Sequence, residues 1–156
     1  MKEVAEIMDN IVTRLTALTA DTQHGGTTAF RHIEQTYDPE DITDARSPTR
    51  KFMLALTGSR DLINFLGQEG EMTSVRQTFE VALVYAQGKS AHALMKVIAE
   101  DVDQIGRDLM KADGFDTPTT GLERRTVTSY SVSLGDQGGS AIVTIPVECR
   151  YTPTYS

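Results

Sequence analysis

The fold is decided by the stretch VRQTFEVALVYA (residues 75–86), in which apolar and polar side chains alternate. A period of two sustained over this length, with many β-branched and aromatic types, predicts a long β-strand. One face of that strand would carry Val75, Gln77, Phe79, Val81, Leu83 and Tyr85.

A helical pattern follows this strand after a break at Gly88. Ser90 is placed to cap the helix, because its hydroxyl can accept from the first unpaired backbone amides. Apolar side chains then recur every three or four residues and form one stripe. A strand and an amphipathic helix each need a partner for their apolar faces, so we expect the rest of the chain to pack around this pair. The stripe consists of Leu94, Ile98, Val102, Ile105 and Leu109.

The composition excludes several classes of protein. The 156 residues carry a net charge of -7, which argues against a basic groove that grips nucleic acid. Cys149 is the single cysteine, so no disulfide can form within the chain. The longest apolar run is far shorter than the roughly 20 residues of a membrane span. The charged N-terminus lacks the apolar centre of a signal peptide, so we expect synthesis in a cytoplasm.

The remaining pattern predicts six further elements and their connections. Residues 2–19 read as a helix, and residues 28–37 read as a strand that is polar on both faces, as edge strands commonly are. Residues 51–57 read as a buried strand, and residues 59–66 as a possible short helix. Residues 113–121 read as a loop. Residues 126–134 and 141–151 read as two strands joined by a glycine-rich turn at 135–140. Pro146 cannot donate a ladder hydrogen bond, so it marks an edge or a bulge.

These elements predict an α+β fold in a single domain spanning residues 1–156. Short connections favour a mainly antiparallel sheet of four to five strands. The two main helices would pack on one face of that sheet, and the other face would stay open to solvent or to a partner.

The pattern offers four candidates for chemistry, and each has a plainer explanation. Gly88-Lys89-Ser90 resembles the end of a phosphate-binding loop, but the glycine required five residues earlier is Leu83. The histidines His24, His32 and His92 lack metal-ligand spacing. The acids of the second helix, Glu100, Asp101, Asp103 and Asp108, read as a solvated face or as an electrostatic match to a neighbouring subunit. Cys149 reads as a core residue. We therefore predict no catalytic residue, no metal site and no cofactor.

The segment DPEDITDARSPTR (residues 38–50) is the most loop-like part of the chain, with four acids, two arginines and two prolines. A loop of this length inside a domain is commonly functional or disordered. Opposite charges on one loop suit contacts between identical subunits, and a merely solvated loop explains the composition equally well.

The order of elements resembles a known family. An N-terminal helix, a strand and an exposed loop precede the long strand, the second helix and a closing hairpin that ends in VECRYTPTY. This is similar to the tail terminator (tail completion) proteins of long-tailed bacteriophages, where the pattern R-x-x-F-x-V-x-L precedes a helix and an aromatic ends the last strand. Here those residues are Arg76, Phe79, Val81, Leu83 and Tyr151. The likeness covers nearly the whole chain but departs from the plainest members in residues 38–74.

The resemblance implies a structural virion protein without enzymatic activity. Members of the family form a homo-oligomeric ring, a hexamer, that caps the tail tube, stops its polymerisation and joins the tail to the neck at the head–tail junction. The implied partners are other copies of the chain, the tail-tube protein and a neck or head-closure protein, with DNA only passing through the lumen. The alternatives are another neck component, such as a head-closure protein or connector, and a small soluble domain that binds a ligand on the open sheet face.

A closed ring needs a head-to-tail contact between two different patches. The strand at 28–37 and the C-terminal tail are candidates for strand addition between subunits. The residues predicted to lie at oligomer or partner interfaces are Arg31, Glu34, Tyr37, Asp41, Arg46, Arg50, Arg150, Tyr151 and Tyr155.

Overall fold

The computed structural model describes residues 2–18, 30–32, 51–64, 73–85, 91–111, 122–134 and 141–151. Neither helix in these ranges is long and apolar enough to cross a membrane. The elements, in chain order, are helix α1 (Lys2–Ala17), strands β1 (Arg31–His32), β2 (Lys51–Asn64) and β3 (Thr73–Tyr85), helix α2 (Ala91–Leu109), and strands β4 (Leu122–Thr126), β5 (Ser131–Leu134) and β6 (Ala141–Tyr151).

The strands form one sheet in the order β1-β2-β3-β6-β4, and β5 also pairs with β6. All pairs are antiparallel except β1 with β2, which run parallel over Arg31–His32. The predicted α+β fold with a mainly antiparallel sheet is therefore confirmed. The parallel strand β1 was not expected, and it lies at the edge of the sheet, as its two-sided polarity indicated.

The core lies between both helices and one face of the sheet, which confirms the predicted face of β3. Its residues from Val75 to Tyr85 at every second position are buried, and those of β6 from Ala141 to Tyr151 lie beside them. The second face is closed at one end, where Met53, Ala82 and Val84 are only 5%, 6% and 2% exposed. The helices contribute Ile7, Ile11, Leu15, Leu94, Val97, Ile98, Ile105 and Leu109 to this core.

The prediction of a short helix at residues 59–66 is wrong for residues 59–64, because β2 continues through Asn64. The strand pairs with Thr73–Gln77 of β3 after a bulge, in which residues 57–59 lie opposite Thr78 alone. The side chains of two residues bond the irregular backbone. Thr57 Oγ1 donates to the Thr78 carbonyl at 2.8 Å, and Gln77 Nε2 donates to the Thr57 carbonyl at 3.0 Å. Cross-strand pairing thus overrides the local helical pattern.

The prediction of one continuous strand at residues 126–134 is also wrong, because β4 and β5 are separated by residues 127–130. Thr126 pairs with Glu148 and Ser131 pairs with Thr144, so four residues on this edge face the three residues 145–147 of β6. The extra residue reverses the alternation of side chains. Odd-numbered residues of β4 and odd-numbered residues of β5 therefore point to opposite faces of the sheet. Pro146 lies opposite the break, in agreement with its predicted association with a bulge.

The helices agree with the sequence pattern to within about two residues at each described end. Several predicted features lie outside the described residues. These are the Ser90 cap, the Gly88-Lys89-Ser90 turn, the loops at 38–50, 113–121 and 135–140, the remainder of the predicted strand at 33–37, and residues 65 and 66.

Candidate functional site

The edge of the sheet formed by β4 and β5 carries exposed apolar side chains. Tyr130 is 49% exposed in the break between these strands, and Met110 is 44% exposed just after α2. Both line a groove of about 180 Å³ between the outer side of α2 and residues 127–130. Gly106 lies in the wall of this groove, where a Cβ would be 3.9 Å from Val127 Cγ1. Leu134 at the end of β5 is 50% exposed.

Near the other lateral edge of the sheet, β2 carries a further exposed apolar residue, Leu56. Its cross-strand partner is Phe79, which places Leu56 on the face that the helices cover. Leu56 is nevertheless 53% exposed. The sheet order puts β2 and the β4/β5 edge on different sides of the central strands β3 and β6. Leu56 therefore lies on one lateral side of the sheet, and the Met110–Tyr130 groove lies on the other.

A buried polar cluster joins the two helices to β4, beside the Met110–Tyr130 groove. Arg125 of β4 is 2% exposed, and its Nε donates to the Leu109 carbonyl at 2.8 Å. Its Nη1 donates to Asn10 Oδ1 of α1 at 2.5 Å. Burial lowers the pKa of Arg125 by disfavouring the charged form. The guanidinium therefore acts as a cap for the C-terminal carbonyl of α2, where helix dipoles favour a cation.

An ion pair extends this cluster between the two helices. Arg14 of α1 donates from Nε and Nη2 to the two carboxylate oxygens of Asp108, at 3.1 and 3.0 Å. The same Nη2 also donates to the Asp108 carbonyl at 3.3 Å. The side chains are 23% and 14% exposed, so this two-point contact is shielded from solvent more than an ordinary surface pair.

The acids of α2 do not form the uniform solvated face that the sequence predicted. Asp101 is fully buried and accepts from the Tyr85 hydroxyl at 2.7 Å. Asp103 is 64% exposed and pairs with Arg107 one turn later at 2.6 Å. Asp101, Asp103 and Asp108 therefore each have a partner within the fold, and only Asp103 of these three is largely exposed.

The structure places three of the predicted interface residues, and it separates them. Arg31 is in the edge strand β1, and Arg150 is in β6 on the face away from the helices. Tyr151 is fully buried, which corrects the expectation that its side chain faces a partner. Its alternation with Cys149 along β6 directs both into the core. The other predicted residues, Glu34, Tyr37, Asp41, Arg46, Arg50 and Tyr155, lie outside the described residues.

Chemically reactive groups do not converge in the part of the chain that the structure describes. No group of three or more potential metal ligands occurs there. The His32 ring stacks on Phe52 at a centroid distance of 5.1 Å, and His92 is exposed at the start of α2. Cys149 is buried, as predicted, and burial raises the pKa of its thiol to about 12. A thiol of that pKa is a poor nucleophile near neutral pH.

A second groove, of about 430 Å³, lies along α2 beside the end of α1. Its walls are mostly charged side chains, and two of them, Asp108 and Arg107, are already held by Arg14 and Asp103. This groove lies on the helical side of the molecule. The alternative hypothesis of a ligand-binding domain places its site on the open face of the sheet instead.

The sequence pattern did not indicate that the apolar residues Leu56, Met110 and Tyr130 are exposed. Leu56 reads as one more core residue of a buried strand, and Tyr130 as one more residue of a regular alternation. The exposure of Tyr130 depends on the break between β4 and β5. Pro146 was the one local signal of such a break.

Comparison with known proteins adds no relative to this description. No model of a protein family matches the chain, and no curated protein matches it.

Proposed function

We propose that this protein is a structural virion component of a long-tailed bacteriophage, a tail terminator without enzymatic activity. It assembles into a ring at the head–tail junction, caps the tail tube, ends its polymerisation and joins it to the neck. The proposal joins the resemblance in element order to one structural observation, that exposed apolar side chains lie on both lateral sides of the sheet, Leu56 on one and Met110 and Tyr130 on the other.

The positions of these side chains support the proposal, because a ring needs two different contact surfaces on each copy. A two-fold dimer buries the same patch of both subunits, whereas a cyclic ring buries one patch against a different one. Leu56 of one copy and the Met110–Tyr130 groove of the next are apolar, partly exposed and on opposite sides. A contact between them repeats around an axis and covers both.

Native mass spectrometry and negative-stain microscopy of the purified protein test the ring directly. We expect a closed ring with an open centre. Leu56→Ser and Tyr130→Ser should each shift the protein towards monomers, because each removes one side of every contact. Met95→Ser is a matched control for Met110→Ser, since both methionines are on the α2 side of the molecule and are 40% and 44% exposed.

Mixing the two disrupted variants distinguishes a head-to-tail contact from a two-fold contact. The Leu56→Ser copy keeps an intact groove, and the Tyr130→Ser copy keeps an intact Leu56 patch. One good contact can therefore form between them, and the mixture should give heterodimers that neither variant gives alone. Absence of any assembly of the wild-type protein, alone or with tail-tube protein, would contradict the proposal.

Binding assays with virion proteins then decide its place in the particle. A terminator should bind the end of assembled tail tubes and limit their length when it is added during polymerisation. A head-closure or connector component should bind the portal instead. Capture by portal protein together with no effect on tube length would favour that alternative.

A further inference from the structure

The outer edge of β5 belongs to a stretch that carries no charged residue. Residues 126–134 read TVTSYSVSL, and all of residues 128–134 except Val132 are exposed. Within the described residues, β5 has a strand neighbour, β6, on one side only. Soluble proteins commonly protect such an edge with charges or proline, because its unpaired amides and carbonyls can bond another strand. An uncharged edge with neither device is typical of a surface that pairs.

Apolar and serine side chains alternate along residues 130–134, which we call the edge segment. Val132 and Leu134 pair with buried residues of β6, so both point to the face that the helices cover. Tyr130 lines the groove beside α2 and therefore lies on the same side. Tyr130 and Leu134 are 49% and 50% exposed, and the two serines between these residues are exposed on the other face. The edge segment thus has one apolar face and one serine face.

The edge segment is complementary to itself. If two copies pair antiparallel about a two-fold axis at Val132, the Tyr130 of each copy faces the Leu134 of the other. The two Val132 side chains then meet at the axis, and Ser131 faces Ser133 on the second face. Cross-strand pairs of these kinds stabilise antiparallel sheets. An axis at Ser133 would pair Val132 with Leu134 and leave Tyr130 unmatched.

We propose that the edge segment pairs with the edge segment of a second copy, which gives a two-fold dimer with one continuous sheet. Charge favours this occupant. Each copy carries a net charge of -7, so two copies approach with least repulsion where neither segment is charged. The neighbouring edge strand β4 is less suitable for a two-fold pair, because Arg124 is exposed there and would approach another arginine.

The helices leave room for this pairing. A two-fold axis between antiparallel strands is perpendicular to the sheet, so the helices of both copies lie on the same face. A groove of about 180 Å³ separates the outer side of α2 from residues 127–130, which sets the helix back from this edge. Helix α1 contacts β1, at the other edge of the sheet.

The dimer is weak and competes with the ring. Five residues of each copy meet, whereas stable interfaces use roughly 20–30 residues a side. The dimer also covers Tyr130, so a paired copy cannot offer its groove to Leu56 of another copy. Pairing through the edge segment therefore holds subunits in reserve until rings grow. The inference goes beyond the proposed ring, because the dimer needs only the edge segment.

Charge exchange on the two serines tests the pairing in the full-length chain. Leu56→Ser serves as the background, because it removes one side of the proposed ring contact and leaves β5 unchanged. Subunits that this change releases from rings should form dimers at high concentration and separate on dilution, as measured by sedimentation velocity. Ser131→Lys with Ser133→Lys should weaken the dimer at least tenfold, because each lysine faces a lysine. Ser131→Glu with Ser133→Glu should have the same effect.

An equimolar mixture of the lysine and glutamate variants should restore dimers, because every lysine then faces a glutamate. Misfolding of either variant could not produce this recovery. Thr13→Lys with Ala17→Lys is the matched control and should leave the dimer unchanged, since both residues are exposed on α1. Failure of the mixture to recover would show that β5 meets a different strand, which overturns the two-fold pairing. A Leu56→Ser protein that is monomeric even at millimolar concentration would also overturn it, whether or not the wild-type protein forms rings.

Hydrogen exchange tests whether the backbone makes the contact. Amides of the edge segment that point away from β6 should exchange at least tenfold more slowly in the dimer than in dilute protein. Amides of α1 should exchange equally in both. Equal exchange of the edge segment at the two concentrations would overturn pairing through strands, even if a dimer forms by another contact.

Discussion

The Nε atom of Arg125 on β4 donates to the carbonyl oxygen of Leu109, the last residue of α2, at 2.8 Å. One side chain thus ties the end of a helix to the edge of the sheet, and through Asn10 it also reaches the other helix. Because that side chain is a buried cation, its removal has consequences that its surface-exposed counterparts do not share.

Arg125→Ala should lower the free energy of unfolding by about 2–4 kcal/mol, since each acceptor left without its donor costs about 1–3 kcal/mol. The Leu109 carbonyl and Asn10 Oδ1 would lose their donor inside the protein. Arg107→Ala is the control, because Arg107 is 72% exposed, and it should cost no more than about 0.5 kcal/mol. Denaturant titration of both variants measures the difference, and equal effects would show that the buried contacts contribute nothing special.

The two ion pairs of α2 should differ in strength because they differ in exposure. A double-mutant cycle on Arg14 and Asp108 should give a coupling energy of about 1–2 kcal/mol, in the range for hydrogen bonds to charged groups. The same cycle on Asp103 and Arg107, which are 64% and 72% exposed, should give about 0.3–0.5 kcal/mol. Moderate salt should reduce the second coupling more than the first. A larger coupling at the exposed pair would contradict this expectation.

Tyr85→Phe should destabilise the protein by about 1–3 kcal/mol, because buried Asp101 would lose the hydroxyl that donates to it at 2.7 Å. Tyr130→Phe removes the same atom from a side chain that is 49% exposed, and it should leave stability almost unchanged. Thermal unfolding of the two variants provides the measurement. A loss of equal size at Tyr130 would mean that the hydroxyl matters for reasons other than its buried partner.

Cys149 should make the fold less stable as pH rises above about 9. Burial raises the pKa of its thiol from 9.0 to about 12, so the folded state holds a proton that the unfolded state releases in this window. The contribution is fully present below pH 9 and is lost as pH rises towards 12, with a limiting slope near 1.4 kcal/mol per pH unit. Cys149→Ala should remove this component from the pH dependence of unfolding. A disulfide reagent should modify the wild-type thiol at pH 8 only after denaturant is added.

The strongly periodic stretches were predictable from sequence, and the irregular ones were not. The alternation of residues 75–85 and 141–151 and the stripe of residues 91–109 depend on burial of one face, which sequence period reports directly. Residues 59–64 were mistaken for a helix because their pairing with Thr73–Gln77 across a bulge is a long-range property. The single extra residue between β4 and β5 has no signature in residues 127–130, and only Pro146 on the facing strand hinted at it.

Much of the candidate site was hidden for the same reason. Asp101 belongs to the polar positions of α2 by its spacing. It is nevertheless buried, where it accepts a hydrogen bond from the hydroxyl of Tyr85 at the end of β3. Arg76, Arg150 and Arg124 are separated along the chain, and only the register of β3, β6 and β4 brings them side by side. Arg150 was predicted at an interface, and the structure places it on the face of β6 that points away from the helices.

The central position of β3 also governs the order in which the sheet can form during synthesis. Its partner β2 ends at Asn64, shortly before β3 begins, whereas its other partner β6 ends at Tyr151. The pairing with β2 is local and can form early, but the opposite edge of β3 has no strand to bond until residues 141–151 have been made. During that interval a long apolar strand exposes unpaired backbone groups, which are a template for aggregation. The nascent chain is therefore most vulnerable just before β6 emerges, and the closing strand ends that exposure.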